Sequence, residues 1–298
     1  MTELIGPAGL LHEVEQLWEQ GLPAGDKTGW PSIDKHYTVA LGQVTVVTGW
    51  PGSGKSEWLD ALLVNLMHQG WRTAIFSPEN QPIRVHAAKL LEKLAGKPFG
   101  PGPTERLSRK DVRELMVHIL SGRFTWVKPP EGAALTAMKV IEAAEPWLTT
   151  FAEEKRGLVI DPWNELEHFR PRELSETEYI SQQLSFVRNW ARANDVHVWI
   201  VAHPQKMRRE DNGKLPVPRP DMISGSIHWW NKADCALTVW RDMESQSSTV
   251  DIHIQKIRFK HIGRPGVVQL NYDRVTGRYS EVMDTKVVKA YAMKGAVD

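Results

Sequence analysis

Residues 49–56 read Gly-Trp-Pro-Gly-Ser-Gly-Lys-Ser, and no other stretch constrains the fold of this 298-residue chain as strongly. The octapeptide matches the pattern G-x-x-x-x-G-K-[ST] in full. It follows the β-branched run QVTVVTG and precedes a helical apolar pattern over residues 55–69. A strand, a glycine-rich loop and a helix in this order form the context in which backbone N–H groups and a helix N-terminus hold phosphates. The sequence therefore predicts a P-loop domain that binds a nucleoside triphosphate.

The side chains of this loop have separate expected roles. Lys55 is expected to reach the outer phosphates of ATP, and the Ser56 hydroxyl is expected to coordinate Mg²⁺. The glycines let the backbone approach the phosphate oxygens closely. The predicted nucleotide-binding residues of the loop are Gly49, Trp50, Pro51, Gly52, Ser53, Gly54, Lys55 and Ser56.

The order of apolar segments predicts an α/β architecture. Strand-like and helical patterns alternate up to residue 202, which is typical of a mainly parallel sheet covered by helices on both faces. The late segments CALTVW, VDIHIQKIRF and VVQLNY follow one another without helices and predict an antiparallel edge. We expect residues 1–40 to form an amphipathic helix and a linker, residues 41–280 the ATPase domain, and residues 281–298 a weakly patterned tail.

Composition excludes several classes of protein. The chain has 37 basic and 36 acidic residues, so any contact with nucleic acid must come from a local basic patch. No run approaches the ~18 apolar residues that a membrane span needs. The single cysteine, Cys235, excludes an internal disulfide framework and a cysteine zinc cluster. The acidic N-terminus resembles neither a secretory signal nor a transit peptide, so a reducing cytoplasm is the expected compartment.

Polar residues that end other strands are candidates for the metal and the water. Asp161 directly ends the apolar run GLVI and is the predicted second anchor for Mg²⁺. Glu79 follows the strand WRTAIFSP and is the predicted residue that polarises the attacking water, with Glu165 and Glu167 as rivals. His203 ends VHVWIVAH at the same predicted edge, where it is expected to sense the terminal phosphate.

A basic loop follows this histidine. It carries Lys206, Arg208, Arg209, Lys214 and Arg219 against Glu210 and Asp211, so its net charge is 5 − 2 = +3. A loop with this charge could hold a nucleic-acid backbone electrostatically. We expect Lys206 and Arg208 to lead this contact, although a merely solvated loop is the alternative. Arg170 and Arg172 form a weaker second candidate.

Two cations lie near the end of the strand VDIHIQKIRF. Lys256 and Arg258 are two residues apart, so they share one face of the strand. That face is expected to continue the one formed by Val250, Ile252 and Ile254. Cations that extend an apolar face need an anionic partner, and a triphosphate held across an interface is suitable. A solvated strand end is the alternative.

Taken together, these motifs resemble a known family. The ordered set is TGWPGSGKS, FSPEN, GLVIDPWNE, WIVAHPQK, ISGSIHWWNKAD, IHIQKIRFKHIGRPG and LNYDRVTGRY. It resembles the RecA-like motor domain of hexameric replicative helicases of the DnaB-like superfamily, especially the Twinkle-type and phage primase-helicase branch. The resemblance runs from about residue 10 to about residue 280.

The resemblance implies roles for individual residues. Glu79 falls on the catalytic glutamate of the family, and His203 with Gln205 falls on the motif that couples the terminal phosphate to DNA-contacting loops. Lys256 and Arg258 match the lysine and arginine finger that one subunit supplies to its neighbour's nucleotide. Tyr272 matches an aromatic residue that stacks near the nucleotide base.

The resemblance also implies an assembly and an activity. The first helix resembles the linker helix that docks on the adjacent subunit of a homo-hexamer. The implied activity is ATP-dependent, 5′ to 3′ movement on single-stranded DNA that unwinds forked DNA in replication, with a loader, primase or polymerase as further partners. A bacterial or phage-infected cell is the expected setting.

The sequence departs from the family in two respects. We find no primase-type domain, and Ile223 stands where the phage branch often has an arginine. Two other classes stay open on the sequence alone: a RecA-like recombinase that forms filaments on single-stranded DNA, and a nucleotide-gated loader or scaffold.

Overall fold

The computed structural model describes residues 4–206, 215–245 and 247–282, without the side chains of residues 118 and 119. Within these residues, nine strands form one sheet. The strands are β1 (Val44–Thr48), β2 (Arg72–Phe76), β3 (Phe124–Trp126), β4 (Arg156–Ile160), β5 (Val196–Val201), β6 (Cys235–Trp240), β7 (Thr249–Ile257), β8 (Gly266–Tyr272) and β9 (Tyr279–Glu281).

The sheet confirms the predicted architecture. Its strand order is β3-β2-β4-β5-β1-β6-β7-β8-β9. All pairs from β3 to β6 are parallel, and β7, β8 and β9 continue the sheet as an antiparallel edge. The central strands β1, β4 and β5 are buried along their whole length, as β-branched runs covered on both faces require.

The described part of the chain also has eight α-helices. They are α1 (Pro7–Gln20), α2 (Pro31–Asp34), α3 (Lys55–Met67), α4 (Ile83–Ala95), α5 (Arg109–Glu114), α6 (Ala137–Thr150), α7 (Glu176–Ala193) and α8 (His228–Lys232). Capping boxes at Ser108 and Ser175 begin α5 and α7. Helix α5 continues as a π-helical stretch, Leu115–Leu120. None of the described helices is long and apolar enough to cross a membrane.

Two hydrophobic cores lie on opposite faces of the sheet. Helices α3 and α4 supply one core, which includes Trp58 and Trp199, and helices α6 and α7 supply the other. Residues from the predicted linker take part in the first core, because Trp30, Ile33 and Tyr37 are buried there. The Trp30 indole N–H donates to the carbonyl of Tyr279 in β9, 3.0 Å away. The packed unit therefore begins before residue 41.

Helix α1 stands apart from both cores. It has no buried residue, and its apolar stripe is open to solvent, with Leu11 58% and Trp18 84% exposed. An amphipathic helix is stable mainly through the surface that its apolar stripe covers. Within the described chain nothing covers this stripe.

A β-bulge changes the faces of β7. Leu237 of β6 lies opposite Ile254, but its neighbour Ala236 lies opposite Lys256, so Gln255 is the extra residue. After the bulge, Ile257 packs against the core that contains Ile254. The prediction that Lys256 and Arg258 continue the face of Val250, Ile252 and Ile254 is therefore wrong. The two cations still share a face, but it is the opposite face of the sheet.

The only cysteine of the chain lies at the start of β6. Cys235 is fully buried, and burial together with the negative charge of Asp234 raises the pKa of its thiol to about 12. A thiol with such a pKa is an inert part of the core at neutral pH.

Candidate active site

A cleft of about 380 Å³ lies at the carboxyl edge of the parallel strands. Strands β4, β5 and β1 are neighbours, so Asp161, His203 and the P-loop that follow them meet at one edge. The sequence-predicted residues Lys55, Ser56, Glu79 and His203 all line this cleft. The topology thus brings together side chains that are up to 148 residues apart in the sequence (203 − 55).

The P-loop has the backbone that its glycines permit. Gly52 and Gly54 have φ angles of 77° and 96°, and Gly54 is the N-cap of α3. These angles are in the left-handed region, where other residues are strained. A Cβ on Gly49 would lie 2.6 Å from the Ser53 hydroxyl oxygen, so a side chain there would collide with the loop itself.

The loop fits a phosphate group. The Lys55 ammonium donates to the carbonyls of Gly49 and Trp50, at 3.0 and 3.2 Å, and burial lowers its pKa. The Ser53 hydroxyl is buried and has no hydrogen-bond partner among the described residues. A phosphate would offer acceptors to both groups, and such a contact is more favourable than a buried donor left unpaired.

Ser56 and Asp161 fit a magnesium ion. The Ser56 hydroxyl lies near the carboxyl group of Asp161 and favours its charged form, and Asp161 is only 4% exposed. Burial raises the pKa of Asp161 to about 6, and the charges of Asp60 and Glu79 act in the same direction. No group of three or more His, Cys, Asp or Glu side chains in the described residues could hold a metal. One carboxylate and one hydroxyl are the sparse set that suits Mg²⁺, whose other ligands are water and phosphate.

A buried Asp–His pair supports this region and was missed by sequence reasoning. Asp60 Oδ1 accepts a hydrogen bond from His86 Nε2 at 3.0 Å, and the Trp126 indole N–H donates to His86 Nδ1 at 3.2 Å. Because an indole can only donate, Nδ1 carries no proton in this arrangement. Asp60 Oδ2 is buried and has no partner in the described part of the chain. The available signal was the four-residue spacing from Ser56, which places both residues on one face of α3.

Glu79 is exposed at the mouth of the cleft. The next residue, Asn80, is held in place by Lys89. The Lys89 ammonium lies 2.9 Å from Glu57 Oε1 and 3.2 Å from Asn80 Oδ1. Lys89 therefore ties the segment that carries Glu79 to the first turn of the P-loop helix. The rivals Glu165 and Glu167 do not line the cleft.

His203 connects the cleft to the next loop. Its backbone N–H donates to Asn164 Oδ1 at 2.9 Å. Burial and the positive charge of Lys55 lower the pKa of its imidazole, so the ring is neutral at pH 7. Gln205 and Lys206 are exposed just beyond it, and the Gln205 N–H donates to the Met222 carbonyl at 2.8 Å. The predicted DNA contacts Arg208, Arg209 and Lys214 lie outside the described residues.

Lys256 and Arg258 lie at the opposite edge of the sheet. Arg258 Nε is 3.1 Å from Oδ1 of the fully buried Asp234, and Nη2 donates to the carbonyls of Asn231 and Ala233. Lys256 donates to the carbonyl of Trp230. These groups flank Val44, where β1 begins, because the Val44 N–H donates to Asp234.

The P-loop follows the other end of the same strand. The five residues of β1 span about 16 Å, so the structure does not bring the two cations to the cleft of their own chain.

Tyr272 lies near the P-loop helix but does not line the cleft. Its ring is 5.0 Å from that of Tyr279, whose hydroxyl is 3.5 Å from the Gly54 carbonyl oxygen. Burial and the charge of Glu57 raise the pKa of Tyr272 to about 12. The ring of Tyr279 therefore lies between the P-loop and Tyr272, the predicted stacking residue.

Comparison with curated proteins finds one strong relative. The chain is 40% identical over 264 residues to the Twinkle homolog protein, chloroplastic/mitochondrial, of Arabidopsis thaliana. The alignment covers 86% of this chain and 36% of the plant protein, so the chain spans about a third of that relative. The plant protein is organellar by name, which does not confirm a bacterial or phage-infected cell as the setting of this chain. No protein-family model matches the chain.

Solved structures share the fold. A solved ATPase domain has a TM-score of 0.77 at 17% identity, covering 94% of this chain and all of that one. A DnaB-like replicative helicase, described with its interactions with primase, has a TM-score of 0.75 at 17% identity over 93% of this chain and 68% of its own. The RadB recombinase scores 0.54 at 16% identity over 86% and 99% of the two chains. The sequence relationship to the Twinkle homolog and the shared fold together identify this chain as a RecA-type domain like those of DnaB-like helicases.

Proposed function

We propose that the chain is the ATP-hydrolysing motor of a ring-shaped DNA helicase. It assembles as a homo-hexamer, moves 5′ to 3′ along single-stranded DNA and unwinds duplex DNA during replication. The helicase relatives support the motor class, and the two separated sets of catalytic candidates support a ring.

The separation of these sets is the observation that carries the proposal. The cleft with Lys55 and Glu79 lies at the carboxyl edge of the sheet, whereas Lys256 and Arg258 lie about the length of β1 away. A contact that joins one edge of a copy to the other edge of the next is heterologous, and it closes into a ring when the rotation allows. Each ATP would then lie between two subunits.

In the proposed hydrolysis, each group of residues has a separate role. The P-loop and Lys55 would hold the phosphates, and Ser56 and Asp161 would hold Mg²⁺, which would supply positive charge beside them. Glu79 orients the attacking water. Arg258 and Lys256 of the neighbouring subunit stabilise the charge that develops on the transferred phosphoryl group, an effect of about 10³–10⁵ in turnover.

Movement on DNA would begin at His203. This residue lines the cleft in which the terminal phosphate would lie, and Gln205 and Lys206 follow within three residues. A shift of His203 on phosphate release would therefore move these side chains directly. We assign the DNA contact to Gln205, Lys206, Arg208, Arg209 and Lys214, with phosphate contacts that weaken as salt increases. A loader, a primase or a polymerase would join the ring at the fork.

Strand displacement on forked DNA tests the activity. We expect ATP-dependent unwinding that requires a free 5′ tail and does not occur with only a 3′ tail. Hydrolysis that DNA stimulates without any unwinding, together with filaments seen by electron microscopy, would instead identify a recombinase. Slow hydrolysis that DNA does not stimulate would identify a nucleotide-gated scaffold.

Mixing two inactive variants tests the shared sites. We expect Arg258→Ala to bind ATP and assemble but to lose nearly all hydrolysis, and Lys55→Ala to be inactive because its own P-loop is impaired. In a one-to-one mixture, about a quarter of the interfaces join an intact P-loop to an intact arginine, so activity should return in that proportion. A mixture as inactive as its components would contradict the shared site.

Arg258→Ala also removes one partner of the buried Asp234. Arg192, 3.1 Å from the same carboxylate, remains in place. Thermal unfolding of the variant, measured before mixing, separates a loss of the finger from a loss of the fold.

A further inference from the structure

The side chain of Trp50 joins the P-loop to the carboxyl-terminal part of the basic loop. Its indole N–H donates to the carbonyl of Pro216 at 2.9 Å, between residues 166 positions apart in the sequence. Pro216 follows Lys214, the last of the proposed DNA contacts, by two residues. The proposed hydrolysis uses the backbone of the P-loop but gives this side chain no role.

The backbone of the same residue belongs to the phosphate site. The Trp50 carbonyl accepts hydrogen bonds from the Lys55 ammonium at 3.2 Å and from the Ser53 N–H at 3.0 Å. A phosphate would compete for the Lys55 ammonium, because a charged oxygen is a stronger acceptor than a neutral carbonyl. Nucleotide binding would therefore act on the carbonyl of the residue whose side chain holds Pro216.

The segment that Trp50 holds is stiff and is anchored on the sheet. Proline rings fix the φ angles of Pro216 and Pro218. The Pro218 carbonyl accepts hydrogen bonds from the Thr238 hydroxyl of β6 at 2.8 Å and from the Gln255 side-chain amide of β7 at 3.0 Å. Because Pro218 is fixed in this way, a displacement of Pro216 would be transmitted toward the preceding residues of the basic loop.

Packing positions the indole ring beside the P-loop. Leu215, Trp240 and Met243 line a small gap together with Trp50. Met243 lies so close to the loop that a Cβ on Gly52 would be 3.0 Å from its methyl carbon. These apolar contacts would hold a phenylalanine ring as well, so the N–H is the part of Trp50 that makes a directional contact with Pro216.

The cleft thus contacts the basic loop at both of its ends. His203 lines the cleft and leads into the amino end of the loop, where the Gln205 N–H is paired with the Met222 carbonyl. Trp50 follows the first glycine of the P-loop and holds the carboxyl-terminal part. A change at the phosphate site could therefore reach the loop from two sides.

We propose that Trp50 is a positioning residue that couples nucleotide binding at the P-loop to binding of single-stranded DNA at the basic loop. This role rests on the proposed function and adds a second connection to the one through His203. It requires that bound nucleotide changes the strength of the hydrogen bond between Trp50 and Pro216, so that DNA meets a differently held loop. Because such coupling is reciprocal, DNA must change the affinity for nucleotide by the same factor.

The coupling factor is the quantity that tests this role. It is the dissociation constant of a non-hydrolysable ATP analogue with Mg²⁺ measured without DNA, divided by the constant measured with saturating oligothymidylate. Trp50→Phe keeps an aromatic ring and removes the N–H donor. We expect this variant to reduce the coupling factor by about threefold to tenfold, because the net contribution of one neutral hydrogen bond limits what it can transmit to about tenfold.

The ratio also separates coupling from damage to the P-loop. A general loss of nucleotide affinity changes both dissociation constants equally and leaves their ratio as it was. Trp190→Phe removes another indole N–H, which donates to Glu145 at 3.1 Å, and should keep the wild-type factor. Thr238→Val removes one donor to the Pro218 carbonyl without touching the P-loop, and it should lower the factor in the same direction as Trp50→Phe.

Three results would overturn the role of Trp50 alone. They are a wild-type factor of one when both ligands bind, an unchanged factor in Trp50→Phe, and an equal reduction in Trp190→Phe. If Trp50→Phe does not fold, an unchanged factor in Thr238→Val has the same meaning. Failure of the wild type to bind the oligonucleotide would overturn the proposed function as well.

Discussion

At the scale of single residues, Asp161 is the clearest case of a side chain whose charged form the fold disfavours. Its pKa of about 6 means that burial opposes ionisation, and Asp60 and Glu79 add negative charge nearby. The folded chain therefore holds this proton more tightly than the unfolded chain does. The cost of ionisation is absent below the ordinary pKa of about 3.8 and is fully present above pH 6.

The substitution Asp161→Asn tests whether ionisation of Asp161 lowers the free energy of unfolding. Without nucleotide or Mg²⁺, the variant should be more stable than the wild type at pH 7.5, by up to about 3 kcal/mol for a pKa raised from 3.8 to about 6. The difference should vanish near pH 4, where the wild-type carboxyl group is protonated. Urea unfolding of both proteins at the two pH values measures it. A variant less stable than the wild type at pH 7.5 would contradict a destabilising effect of the ionised Asp161 carboxylate.

Residue identities in the cleft were predictable where a short motif defines them, and partners across the fold were not. Lys55 and Ser56 belong to one octapeptide, and Asp161 ends an apolar strand, so local patterns are sufficient. Lys89 and Asp234 act through contacts with residues 32 and 190 positions away (89 − 57 and 234 − 44), and nothing in their local sequence indicates those contacts.

At the scale of elements, long apolar segments were predictable, whereas some short ones, such as β9, were not. Strands β1, β4 and β5 are continuous apolar runs, but β9 has three residues and exists because it pairs with β8. The bulge at Gln255 shows a further limit. Alternation along VDIHIQKIRF predicts one face for all its even residues, and one extra residue reverses the faces from that point onward.

Helix α1 offers a test at this scale. Since it buries no residue on its own chain, removal of residues 1–20 should leave the melting temperature of the isolated domain within about 1 °C, because surface changes have small effects. The same deletion should abolish assembly if the apolar stripe packs on a neighbouring subunit. Thermal unfolding at low concentration and sedimentation at high concentration separate the two effects. A large loss of melting temperature would show that the helix packs on its own domain.

The basic loop offers another. Replacing Lys206 and Arg208 by alanine should weaken binding of single-stranded DNA and lower the slope of log affinity against log salt by about 0.7 for each phosphate that the variant no longer neutralises. Replacing Arg109 and Lys110, which lie on α5, makes the same change in net charge and serves as the control. The loop is not part of the DNA path if both double variants keep the wild-type slope.

At the scale of the whole molecule, the proposed catalytic groups lie on two edges of the sheet, so the proposed function makes ATP hydrolysis a property of the assembly. An isolated copy contains both the P-loop and the two cations, Lys256 and Arg258, but the length of β1 keeps them apart. ATP hydrolysis per chain should therefore rise with protein concentration and reach a plateau when assembly is complete. Steady-state hydrolysis measured over a thousandfold range of concentration, beside light scattering, tests this dependence. A rate per chain that is constant over the range would mean that one copy suffices.

The inert thiol in β6 has a practical consequence for such measurements. Because Cys235 is the sole cysteine and is buried with a strongly raised pKa, thiol reagents should not react with the native chain. A cysteine introduced near the turn after β7 and another near the P-loop could then carry a donor and an acceptor dye without replacement of Cys235. Energy transfer between differently labelled copies would follow the approach of the two edges as ATP binds and is hydrolysed.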